Sequence, residues 1–121
     1  MDGSPLEATV EVIPGGALVL LAGRIDRDAA ASLNAAYATA SAAGSVVTLD
    51  FAATDYINST GIALIVGVLA EARRDGRQIV ARGLTDHYRE IFRITRLSDF
   101  MTIEEDQAAT PGGRTERERD A

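Results

Sequence analysis

The sequence predicts an α/β fold: a central mixed, mostly parallel sheet of four to five strands with three or four helices. Three observations carry this expectation. Short β-branched runs alternate with longer stretches of helical periodicity, strand then helix. A single proline-glycine turn joins the first two apolar runs directly, which gives one antiparallel pair. The chain of 121 residues, 46% hydrophobic and without an internal repeat, suits one domain with a substantial core.

Taken in order, "TVEVI" at 9–13 alternates polar and apolar, meets Pro14-Gly15-Gly16, and continues as "ALVLLAG" at 17–23, a hairpin of two strands. Asp26 or Asp28 then caps a helix whose Leu33, Ala36, Tyr37 and Ala40 share one face, with Gly44 as the stop. That helix is expected to lie across the sheet. "SVVTLDF" at 45–51 is short and almost continuously apolar, which suits a central strand covered on both faces. A second helix runs from about Thr60 to Arg73 and Arg74, whose charges suit the carbonyl end of the dipole, and finishes at Asp75-Gly76.

"QIVARG" at 78–83 is another strand. Within "TDHYREIFRITRL", Thr85 or Asp86 caps a third helix that turns Tyr88, Ile91, Phe92 and Thr95 to one side. "FMTI" at 100–103 closes the order as a short strand. The domain is expected over residues 1–107. The segment 108–121, "AATPGGRTERERDA", has too little apolar surface to offset the entropy of ordering it and is expected to be a flexible charged tail.

Composition removes several classes of function. A net charge of -6 argues against a nucleic-acid or anionic-membrane surface, since both reward clustered positive charge. The absence of cysteine excludes disulfides, thiolate chemistry and cysteine-ligated zinc. The acidic start has no signal-like apolar stretch and the apolar run 61–70 is too short to span a bilayer, so a cytoplasmic location is expected. The lone His87 stands at the start of a surface helix with no nucleophile motif around it, and Glu104-Glu105-Asp106 reads as a solvated acidic run. Pro14-Gly15-Gly16 and Pro111-Gly112-Gly113 lack the spacing of a phosphate loop, and the chain has no lysine. Arg73, Arg74, Arg77 and Arg82 read as solvation of a helix end and a strand edge. No catalytic residue, cofactor or metal site is expected.

One stretch remains: Asn58-Ser59-Thr60-Gly61, small polar groups at the head of an uncharged, largely apolar run that ends at Ala70. Asn, Ser and Thr are all preferred N-caps, so on physics alone a cap, whose oxygen accepts from first-turn amides, is the commoner reason for Ser59; a phosphate acceptor is the rarer one, open because a helix N-terminus tolerates an anion. A phosphoryl group there adds about -1.5 to -2 charges to a surface turn without unfolding it.

Together "GRID" at 23–26, "VVTLDF", "YINSTGIALIVGVLAEARRDGRQIVARGL" and "REIFRITRLSDF" resemble the STAS domain family, in particular the bacterial anti-sigma factor antagonists, over roughly residues 9 to 105. The resemblance implies the STAS fold. It also implies a phosphorylation switch: the family's turn usually reads Asp-Ser-Ser-Gly, and its first serine is phosphorylated by an anti-sigma serine kinase. By position the acceptor is Ser59, with Thr60 and Gly61 at the next two places and Asp26 near the partner-binding face. The expected partner surface is therefore Asp26, Asn58, Ser59, Thr60 and Gly61, on a protein that is a substrate and binding module, not an enzyme.

Two departures stand out: Asn58 replaces the usual aspartate, and the charged segment after 107 replaces a further helix. The alternative is a STAS subunit that serves as a fixed interaction module in a transport or signalling complex, with Ser59 a plain cap. A small-anion sensor using the same helix start is a third. With no apolar helix face evident at the surface, a monomer or weak dimer is expected.

Overall fold

The computed structural model describes residues 4–104. The hairpin forms as expected, β1 (Glu7–Ile13) antiparallel to β2 (Gly16–Ile25) across a Pro14-Gly15 turn. β3 (Val46–Ile57), β4 (Gln78–Arg82) and β5 (Thr102–Ile103) are then added in parallel, so the five strands lie side by side in chain order.

That order explains the layering. Right-handed crossovers that always step the same way put every connecting helix on one face of the sheet. The alternation agrees: Val19, Leu21, Val47, Leu49, Phe51, Ile79 and Ala81 share one buried cluster with Leu33, Ile65 and Phe92. Leu18, Leu20, Thr48 and Asp50, which point the other way, are half-buried and outside it. The central strand β3 is thus covered by helices on one face, not on both as its apolar run suggested. It is also longer than residues 45–51, because pairing with β2 continues to Ile57 through register shifts after Leu20 and Gly23.

Helix α1 (Ala30–Ser41) follows a 3-10 turn (Arg27–Ala29) and buries Leu33, Ala36, Tyr37 and Ala40, the face read from the spacing. It ends before Gly44, whose role is different: a Cβ there would lie 2.6 Å from the Gly15 carbonyl oxygen, so the chain passes tightly beneath the hairpin turn. Helix α2 (Ser59–Asp75) ends at Gly76 in the left-handed region, with its amide bonded back into the last turn. Helix α3 (Asp86–Ile94) is capped by Thr85 and seats Phe92 edge-on against Phe51, ring centroids 5.8 Å apart. Thr95 lies beyond the helix as an exposed C-cap instead of sharing the buried face. A 3-10 turn (Leu97–Asp99) leads into β5. The segment 108–121 lies outside the described residues.

Candidate functional site

The start of α2 is built from two backbones in close contact. Asn58 leaves β3 in an extended conformation, φ -98° and ψ -176°, and its Oδ1 accepts from the Gly61 amide at 2.9 Å. Its own amide donates to the Ile25 carbonyl at the end of β2, 3.3 Å away. That same carbonyl lies where a side chain at 61 would begin: a Cβ on Gly61 would sit 1.9 Å from the Ile25 oxygen. Glycine is required here because the helix start rests on the end of a strand.

The N-cap is therefore Asn58 and not Ser59. An extended φ/ψ places the Asn58 oxygen over the first turn, while Ser59 is already helical. Ser59 and Thr60 are exposed, and neither hydroxyl makes a hydrogen bond to another described residue. Their amides belong to the donors that a helix start leaves without intrahelical partners.

Asp26 follows Ile25 and caps the 3-10 turn, accepting from the Asp28 amide and from Arg24 Nε, each at 3.0 Å. The Arg24 hydrogen bond is the main reason its carboxyl is held below the usual range, with burial opposing. Asp26, Asn58, Ser59, Thr60 and Gly61 thus belong to one junction, joined through Ile25. Sequence reasoning missed three contributors: Arg24, visible inside "GRID" but given no role; the Ile25 carbonyl, which a sequence cannot show; and Tyr88. Tyr88 fits the helical spacing of a core face, yet its hydroxyl accepts from the Ile57 amide at 3.0 Å and ties α3 to the same junction.

The other candidates separate. His87 is exposed with its ring against Tyr88. Arg73 stands over Phe100 at 5.9 Å, Arg77 donates to the Ser41 carbonyl at 2.9 Å, and Arg82 pairs with Asp50 at 3.1 Å, so these arginines do not converge. Among the described residues no group of three His, Cys, Asp or Glu side chains could hold a metal ion.

The surface differs from expectation in one respect. α2 does expose an apolar side chain, Val66 at 45%, which lines a groove together with Phe100 at 55%. Val66, Leu69, Ala70, Arg73, Leu97 and Phe100 are among the residues lining a groove of about 270 Å³ between α2 and the turn after α3.

The sequence model of a family described as "Mlab, STAS domain" matches residues 12–104. The chain belongs to the STAS domain family. This STAS domain is 35% identical over 60 residues to the anti-sigma-B factor antagonist of Listeria monocytogenes, a stretch covering 50% of the chain and 53% of that protein. The chain thus spans about half the length of the curated relative it matches. Among solved structures it resembles an anti-sigma factor antagonist from Mycobacterium paratuberculosis, with a TM-score of 0.66 at 22% identity, covering 86% of this chain and 89% of that one. It also resembles the Bacillus cell fate determinant SpoIIAA in its phosphorylated form, with a TM-score of 0.62 at 20% identity, covering 85% of this chain and 96% of that one. These structural likenesses establish the STAS fold, with a five-stranded sheet and three α-helices among the described residues.

Proposed function

We propose that this STAS domain is an anti-sigma factor antagonist regulated at Ser59. Unphosphorylated, it binds an anti-sigma serine kinase and so regulates sigma-factor-dependent transcription; phosphorylated, it releases that kinase. The observation that carries the proposal is the division of labour at α2: Asn58 does the capping, which leaves the Ser59 hydroxyl exposed and uncommitted. The relatives named as antagonists agree with it.

In the transfer, the kinase moves the γ-phosphoryl of ATP to Ser59 Oγ, ADP leaves, and the hydroxyl proton passes to the kinase's base or to water. This domain supplies a positioned acceptor and no catalytic group, so it is substrate and binding module rather than enzyme. The phosphate arrives at the positive end of α2, which favours it, and adds about -1.5 to -2 charges. The fold holds while the surface gains negative charge. A kinase surface complementary to Asp26, Asn58, Ser59, Thr60 and Gly61 is then repelled. The proposal places the protein in the cytoplasm; among the described residues no helix is long and apolar enough to cross a membrane.

The test uses the anti-sigma kinase that phosphorylates this chain in the presence of ATP. Ser59→Ala keeps its binding and Ser59→Asp abolishes it; equal affinity for the two variants sinks the proposal. Asn58 in place of the usual aspartate favours a second reading, a fixed STAS subunit in a transport or signalling complex. Peptide mapping from native cells separates the two, since the fixed subunit carries no phosphate on Ser59 under any growth condition.

A further inference from the structure

The end of β3 runs past its neighbour. β4 makes its last pair, Arg82 with Asp50, and then turns off the sheet at Gly83, whose φ of 77° lies in the left-handed region. β3 continues to Ile57, paired with β2 on one edge and with no strand on the other. Ser59 stands two residues beyond this overhang.

Adjacent amides of a strand point to opposite edges. The Asn58 amide turns toward β2 and meets the Ile25 carbonyl at 3.3 Å. The Ile57 amide therefore turns to the edge that β4 has left, on a residue only 6% exposed, where an unpaired donor is costly. Its acceptor is the Tyr88 hydroxyl, 3.0 Å away, brought back to that edge by α3. Tyr88 is itself held: its amide donates to Thr85 Oγ1 at 3.2 Å, and its half-buried ring packs against the core. A side chain thus supplies at Ile57 what a neighbouring strand supplies elsewhere in the sheet.

We infer that Tyr88 is the positioning residue for phosphorylation of Ser59, acting through the backbone of Ile57 and Asn58. The inference rests on the proposed function. With both edges held, the strand end cannot swing about β2, so the Asn58 cap and the Ser59 hydroxyl after it keep one orientation toward an incoming phosphoryl group. Transfer is sensitive to that orientation, since misplacing a reacting group by about 1 Å can cost about 10²-fold. Without the Tyr88 hydroxyl, the overhang is held by β2 alone. Tyr37 offers a comparison within the same molecule. Its hydroxyl donates to Asp75 at 2.8 Å, at the other end of α2, and steadies the helix far from its start.

The test compares Tyr88→Phe, which removes the hydroxyl and keeps the ring, with Tyr37→Phe, both in the full chain. Amide exchange followed by NMR needs no kinase. In Tyr88→Phe the Ile57 and Asn58 amides are expected to exchange several-fold faster, a local opening, while the Arg77 amide, bonded to the Ala72 carbonyl at the far end of α2, is unchanged. With ATP and the anti-sigma kinase that binds this chain, Tyr88→Phe is expected to lower kcat for Ser59 about tenfold at unchanged KM, as a misplaced acceptor on an intact binding surface does. Tyr37→Phe lowers the melting temperature and leaves kcat as it was. An equal loss of kcat in both variants makes the Tyr88 bond merely structural and overturns the inference. Unaltered kcat or unaltered exchange in Tyr88→Phe, with the parent phosphorylated normally, overturns it alone. A parent chain that the kinase binds and leaves unphosphorylated overturns the proposed function and this inference together.

Discussion

Replacing Gly61 by alanine tests the account of the α2 start most directly. An alanine Cβ would sit 1.9 Å from the Ile25 oxygen and 2.8 Å from its carbonyl carbon, both backbone atoms of a strand end that cannot rotate away. Ordinary contact requires the helix start and the end of β2 to separate by about 1.5 Å, judged against the usual carbon packing distance of about 3.5 Å. The 3.3 Å hydrogen bond from Asn58 to Ile25 does not survive that movement. Its loss costs about 1 kcal/mol, and the overpacking about 1–3 kcal/mol. Alanine's better helix propensity returns about 1 kcal/mol. The net destabilisation is about 2 kcal/mol, or a melting temperature lower by roughly 8–16 °C for a domain of this size. Gly67→Ala is the internal control, since it has the same propensity gain and no clash, and is expected to melt a few degrees higher. Thermal melts followed by circular dichroism read both. A Gly61→Ala protein at or above the parent's melting temperature would refute the close-contact account.

Asn58→Ala removes the side-chain cap while leaving Ser59 in place, and is expected to cost about 1 kcal/mol in urea unfolding; a restored cap from Ser59 would show as no loss. Tyr37 is pushed up to about 12, chiefly by burial and further by its 2.8 Å hydrogen bond to Asp75. Because its folded value lies above the unfolded value of about 10, the stability it contributes is complete below about pH 10 and is lost as pH rises toward 12. Urea unfolding repeated across alkaline pH, with Tyr37→Phe as reference, should show that loss in the parent and not in the variant.

Much of this was legible because side-chain periodicity is local. Leu33, Ala36, Tyr37 and Ala40 announce one face of α1 whatever they pack against, and Gly76 announces the end of α2 through a conformation that other residues resist. What failed depended on distant partners. Nothing in "AATDYI" marks a strand, yet residues 52–57 continue β3 because β2 offers a parallel edge, with Thr54 donating to the Leu21 carbonyl at 3.2 Å. The choice of cap between Asn58 and Ser59 was open for another reason: both carry suitable oxygens, and only the extended backbone at 58 decides it. Tyr88 fitted the core spacing, but its use as an acceptor for Ile57 depends on a contact 31 residues away. The exposed Val66 was missed because the outward positions in the middle of α2, Ala63, Val66, Gly67 and Ala70, carry no polar side chain, which leaves little contrast there with the buried Ile65, Val68 and Leu69.

The agreement between chain order and sheet order has a consequence for how the molecule is made. After the hairpin, each strand is laid on the growing edge, and the intervals between strands are nearly equal: 26–45, 58–77 and 83–101. Every addition therefore carries a similar loop-closure entropy, and none must insert between strands already paired. A chain emerging from the ribosome can extend its sheet vectorially, each segment finding its template complete. Until α2 is released, β2 and β3 lack much of their cover, so the Ser59 junction assembles only when residues on both sides of it are out of the tunnel.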